Sequence, residues 1–155
     1  MRQQRWFQSV ALAVGLFAIN VVTRLVIRLG FNGNDSAENR ASLIMFALIG
    51  LGLAGFTFVR AQRVAPSSWL PDLGLGSLGG MLLTVLVGPL ISGGVPFDDG
   101  AGFFFSQIWL YGGCGIVGTL LGYWIAMALG RDYRSKSLEA FAQARNAKPR
   151  RVVRR

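Results

Sequence analysis

The sequence contains no histidine, one cysteine in 155 residues, and only 15% charged residues. Without histidine there is no His-ligated haem, no His-based zinc site and no Ser-His or Cys-His catalytic arrangement. One cysteine excludes an internal disulfide and any cluster of cysteine metal ligands. The charge deficit argues against an ordinary aqueous domain, in which roughly a quarter of the residues are charged. In place of charge stand 21 glycines, 11 phenylalanines and an apolar fraction of 52%, with a mean hydropathy of +0.46. These values call for lipid as the solvent, and the length for a single domain. Arginine outnumbers lysine 14 to 2, a bias that points to a GC-rich, bacterial genome.

The apolar residues fall into four runs, at about 6–26, 41–59, 73–91 and 103–129. The last three are free of charge, and the fourth is the longest at 27 residues. Crossing the hydrocarbon takes about 20 apolar residues in a helix. The alternation of barrel strands is absent, which leaves helices as the only structure able to span lipid here. The expected fold is therefore all-α: a transmembrane domain over 1–130, followed by a basic tail over 131–155. Residues 1–22 share the basic-then-apolar layout of a signal peptide. No small-x-small cleavage site follows, so the segment reads as a retained first helix.

Charge sets the expected orientation. Thirteen Lys and Arg residues lie on the side of the N-terminus, the second loop and the tail, against Arg24, Arg28 and Arg40 on the other. The positive-inside rule then puts both termini in the cytoplasm, in a bacterial inner membrane. Trp69 and Tyr133 suit the inner interface; Phe97 and Phe103–Phe105 suit the outer one. Pro66 and Pro71 predict an extended second loop, Ala61 to Asp72, with Asp72 capping the third span. Asp35 or Ser36 would cap the second span if that helix begins early. Pro89 predicts a kink or an end near the outer edge of the third span.

Small residues recur every four positions on two spans. Gly76, Gly80, Thr84 and Gly88 mark the third; Cys114, Gly118, Gly122 and Ala126 mark the fourth. Residues four apart share a helix face, and small faces let two backbones approach closely. The expectation is one tight hairpin between spans three and four, with faces left over for another subunit. Ala47, Gly50 and Ala54 form a shorter version on the second span. Cys114, at mid-span, reads as a packing residue rather than a reactive thiol.

Polar candidates are few. Asn20, Arg24 and Arg28 form a stripe on the outer part of the first span. Arg24 is expected to snorkel to the headgroups, with an ion pair to Asp98 or Asp99 of the third loop or a ligand contact as alternatives. Asp98-Asp99-Gly100 reads as a solvated turn. No span holds an Asp or Glu, so a proton-coupled carrier has no visible proton-carrying carboxylate. In the tail, Leu138, Phe141 and Ala142 form an apolar face amid Arg and Lys, a short amphipathic helix suited to the anionic inner leaflet. KPRRVVRR, which follows, reads as disordered. No cofactor, metal or catalytic residue is expected. Nucleic acid is not an expected partner, because no recognition fold accompanies the charge.

The four-span layout, the basic tail and the glycine-rich fourth span, Gly112-Gly113-Cys114-Gly115 through Gly118 and Gly122, resemble the small four-span membrane proteins of actinobacteria. Some of these are drug/metabolite-transporter-like, and others are accessory subunits of larger membrane complexes. The resemblance and the lack of catalytic groups imply a non-catalytic accessory or assembly subunit whose partners are membrane lipids and other membrane subunits or a second copy. The alternative is a small homo-oligomeric transporter or channel.

Overall fold

The computed structural model describes residues 2–30, 35–97 and 100–146, and all the regular structure among them is helical. Helix α1 spans Arg2–Gly30, α2 Asp35–Ala61 and α3 Pro66–Leu82; a π-helical turn, Leu83–Val87, joins α3 to the short α4, Gly88–Ser92. Helix α5 spans Ala101–Ala128 and α6 Tyr133–Asn146. Four helical stretches are long and apolar enough to cross a membrane, and they contain α1, α2, α3 with α4, and α5. Residues 98–99 and 147–155, including the KPRRVVRR segment, lie outside the described residues.

The helices start and stop for local reasons. Helix α3 begins earlier than the prolines suggested. Pro66 occupies its first turn, where the missing N–H has no intrahelical partner anyway, and extended Ala65 is the N-cap (φ −61°, ψ 145°). Pro71 then lies inside the helix, removing one hydrogen bond to the carbonyl of exposed Ser67. The second loop is thus short, and Asp72 is a helical residue rather than a cap. Helix α2 likewise starts at Asp35, six residues before the apolar run.

Pro89 acts one turn upstream of itself. A proline ring collides with the carbonyl four residues before it, here that of Val85. The backbone widens there: the Gly88 N–H donates to the Leu83 carbonyl, five residues back. Helix α4 closes with Gly93 at φ +90°. The N–H groups of Gly93 and Gly94 donate to the carbonyls of Leu90 and Pro89, which completes a Schellman cap. Gly130, at φ +61°, ends α5 in the same way.

The helices pair as parallel neighbours. Helix α3 lies along α1, and α5 along α2; a narrower α1–α2 contact and a few residues of α5 against α3 and the π-turn join the pairs. The expected hairpin of spans three and four is therefore not formed. The stripe on α5 finds the small residues of α2. A Cβ on Gly118 would sit 2.9 Å from the Gly50 Cα, and one on Gly122 2.9 Å from the Ala54 Cα. Small faces match best with small faces, because only then do both backbones come close. The stripe on α3 instead receives side chains of α1: Leu12 at Gly76 and Leu16 at Gly80.

The core lies where the pairs meet, around Leu16, Phe46, Ile49, Leu53, Leu73 and Tyr111. Trp69 belongs to it as well, 4% exposed and tilted against Tyr123 at 6.4 Å between ring centroids. It is a core residue rather than part of an interfacial belt, because the early start of α3 turns it inward. Elsewhere the exterior is apolar: Leu29, Leu51, Leu75, Trp109 and Ile116 are all well exposed.

Candidate functional site

Polar side chains gather at the end of the bundle that carries the first and third loops. A cavity of about 600 Å³ opens there. Its polar lining includes Arg24 and Arg28 of α1, Ser42 of α2 and Ser106 and Gln107 of α5. Leu43, Phe46 and Phe103 supply apolar wall. A volume of this order suits a small organic molecule.

Three sequence-predicted residues come together at its inner side. A Cβ on Gly88 would lie 2.9 Å from the Arg24 Nε and 2.9 Å from the Asn20 Oδ1. The guanidinium of Arg24 therefore rests on bare backbone where the π-turn meets α4. This placement is inward, against the α3–α4 joint, and differs from a side chain snorkelling to headgroups. Arg28, one turn further, is exposed, and its Nη1 donates to the Ile91 carbonyl at 3.1 Å. Both arginines thus engage the α4 segment. Asp98 and Asp99, the expected alternative partners, lie outside the described residues.

A file of buried polar groups continues from there toward the middle of the bundle. Asn20 is fully buried, and its Nδ2 donates to the Met45 sulfur at 3.1 Å. Thr84, one turn before Gly88, is fully buried as well. The Tyr111 hydroxyl comes next, 2.7 Å from where a Cβ on Gly80 would be. The Asn20 Oδ1 and the Thr84 Oγ1 have no hydrogen-bond partner among the described residues. Buried polar atoms in this state favour hydration or a polar guest, since leaving them bare costs about 1–3 kcal/mol each.

The remaining stripe residues pack helices. Gly76, Gly80, Thr84 and Gly88 face α1, with Tyr111 of α5 reaching Gly80; Gly118 and Gly122 face α2. Ala126, on the same face of α5, is fully buried. Cys114 is a free thiol whose carbonyl oxygen lies 2.9 Å from a Cβ placed on Gly50. Tyr111 was not singled out from the sequence. A tyrosine amid apolar residues was the available signal, but its depth depends on α5 crossing above Gly80.

At the opposite end, Arg60 of α2 donates to the Gln8 Oε1 of α1 and lies over the Phe56 ring, 5.5 Å from its centroid. Lys136 of α6 donates to the Gln62 carbonyl at 3.2 Å. Asp132 caps α6: the N–H groups of Arg134 and Ser135 donate to its Oδ2 at 3.2 and 3.3 Å. Hydrogen bonding from the Ser135 side chain, opposed by a smaller effect of burial and helped by these N–H groups, holds its carboxyl below the usual range. Leu138 and Phe141 of α6 are exposed.

Among the described residues no group of His, Cys, Asp or Glu is placed to hold a metal ion. The molecule is of the all-helical class with four helices able to cross a membrane, carrying a cationic, hydrogen-bonding cavity at one end. Models of protein families, curated proteins and solved structures were compared with the chain, and none matches it.

Proposed function

We propose that this chain is a non-catalytic multi-pass membrane protein of a bacterial cytoplasmic membrane, with both termini in the cytoplasm, and that it serves as an accessory or assembly subunit of a larger membrane complex. The four apolar helices and their apolar exterior support membrane insertion. The excess of Arg and Lys on the side of the termini supports the orientation.

The observation that carries the assembly role is the pair Gly112-Gly113 in the middle of α5. A Cβ on either would meet nothing within 4 Å. Glycine in a helix interior costs roughly 0.5–1 kcal/mol against alanine, and among the described residues nothing stands close enough to require it. Close approach of a helix from another subunit does. Exposed Trp109, one turn before Gly113, supplies an aromatic anchor for it.

Photocrosslinking from position 109 in native membranes, followed by gentle solubilisation and mass spectrometry, tests the reading. A stoichiometric foreign subunit is expected, and Gly113→Leu should remove it. Recovery of the chain alone, or only of itself, would sink the subunit role. The second reading, a small homo-oligomeric transporter or channel, is favoured by the cavity and the buried polar file behind it. It predicts a homo-oligomer and solute flux in vesicles that Asn20→Leu abolishes.

A further inference from the structure

We propose that the groove between α1 and α2 is a binding site for an anionic glycerophospholipid, with one acyl chain in the groove and the phosphate on Arg60. The inference rests on the reading of the four helices as membrane spans.

The groove has a volume of about 440 Å³. Gly15 and Gly52 are among its lining, with Phe7, Ile19 and Phe56 beside them. Along α1 it runs from Phe7 to Ile19. At the helical rise this is about 18 Å, so the mean cross-section is roughly 24 Å². A helix at least 10 Å across has a section of roughly 80 Å². A polymethylene chain, packing at carbon–carbon distances of 3.5–4.0 Å, has one of roughly 15–20 Å². A groove of this section matches a single hydrocarbon chain.

One end of the groove is charged. Gln8 and Phe56 both line it, and the Arg60 guanidinium bonds the first and stacks over the second. Arg60 stands in the last turn of α2, at the depth where headgroups meet a span. Gln8 is neutral, so the guanidinium keeps its charge for an anion, and its fork of donors suits a phosphate. Arg63 and Lys136 stand near by, the latter bonded to Gln62. The Arg60 charge at the groove's end repels the cationic end of a zwitterionic headgroup and attracts an anionic one. A free phosphate would use the cation and leave the groove empty; the lipid uses both.

Native mass spectrometry of the purified full chain in detergent tests this. The probes are palmitoyl-oleoyl phosphatidylglycerol and the phosphatidylcholine with the same chains. One phosphatidylglycerol should be held about five- to tenfold more tightly than phosphatidylcholine. Arg60→Gln should erase that preference. Gly15→Phe, which places a ring in open groove space, should weaken both lipids. Arg63→Gln, off the groove, should change phosphatidylglycerol binding less than about twofold. Arg60→Lys keeps the charge and should keep a measurable preference, which guards against loss through misfolding. Equal affinity of the two lipids for the unaltered protein overturns the proposal. So does a Gly15→Phe variant that binds normally while Arg63→Gln equals Arg60→Gln, because attraction is then diffuse. Failure of the membrane reading itself shows separately, as extraction of the chain from membranes by alkaline carbonate.

Discussion

The two parallel pairs use small residues in opposite ways. Between α2 and α5, backbone meets backbone: Gly118 lies over Gly50 and Gly122 over Ala54. Between α1 and α3, glycines form holes that side chains fill: Leu12 at Gly76, Leu16 at Gly80, and Asn20 with Arg24 at Gly88. The first contact has no mobile part. It gains dispersion and suits weak Cα–H···O contacts, worth about 0.5–1 kcal/mol each, and is rigid. The second can adjust more, because side chains with rotamers stand opposite Gly80 and Gly88, although Gly76 also meets the Ser9 carbonyl oxygen at 3.0 Å. The polar cavity lies between the two pairs, and its arginines stand on the adjustable one.

That difference sets a ranking for adding a methyl group at three glycines. Gly118→Ala should be the most damaging. Its Cβ would run into the Gly50 backbone, so α2 and α5 must separate along their length. A loss above about 3 kcal/mol, read as collapse of the monodisperse peak and of the thermal transition in detergent, is expected. Gly80→Ala meets the Tyr111 hydroxyl at 2.7 Å and the Leu16 Cβ at 3.2 Å. It should cost about 1–3 kcal/mol. Gly88→Ala meets the ends of two polar side chains, the Arg24 Nε and the Asn20 Oδ1, each at 2.9 Å. It should cost less than about 1 kcal/mol while pushing the guanidinium into the cavity. If Gly88→Ala proved as damaging as Gly118→Ala, the contrast between the pairs would be lost.

Arg24→Lys sharpens the same contrast at a single residue. A lysine ammonium snorkels as well as a guanidinium but cannot lie flat on the Gly88 backbone. With the inward placement, the variant should lose about 1 kcal/mol in thermal melts, and a cysteine reporter at Gln107 should become more reactive. An unchanged melt and reporter would return Arg24 to the lipid.

The most local effect is expected at α6, which is tied to the rest of the bundle by the Lys136–Gln62 hydrogen bond. Asp132→Ala removes the cap and should fray the first turns by about 1 kcal/mol. The protection of α6 amides from hydrogen exchange is the measurement. Acid should act likewise. A carboxyl held below its usual range stabilises above its unfolded pKa, about 3.9, and that contribution is lost as pH falls through the depressed folded value. Fraying confined to α6 at low pH, absent in Asp132→Asn, is the expected pattern.

Several features were legible as runs and spacings. The uncharged stretches 41–59, 73–91 and 103–129 needed only residue-by-residue hydropathy, and each falls within a described helical region. The small-residue stripes were visible for the same reason, since residues four apart share a helix face wherever the helix goes. What they touch was not. Gly118 against Gly50 and Gly80 against Leu16 are contacts across 68 and 64 positions of chain, as the numbering shows. Nothing local distinguishes them from the sequential hairpin. Proline was legible only in part: Pro71 is accommodated inside α3, whereas the helix carrying Pro89 does end close by, at Ser92, after a π-turn that the sequence did not suggest.

By itself, then, the sequence determined an all-helical chain with four helices apolar enough for lipid, and it excluded histidine chemistry. Composition and periodicity are additive along the chain, so they are readable without coordinates. Only the tertiary structure decided that the helices pair as α1 with α3 and α2 with α5, that Arg24 turns inward onto Gly88, and that Arg60 stands at the mouth of an apolar groove. Those outcomes depend on which surfaces fit each other at van der Waals distance, a property of pairs of helices that no single segment carries.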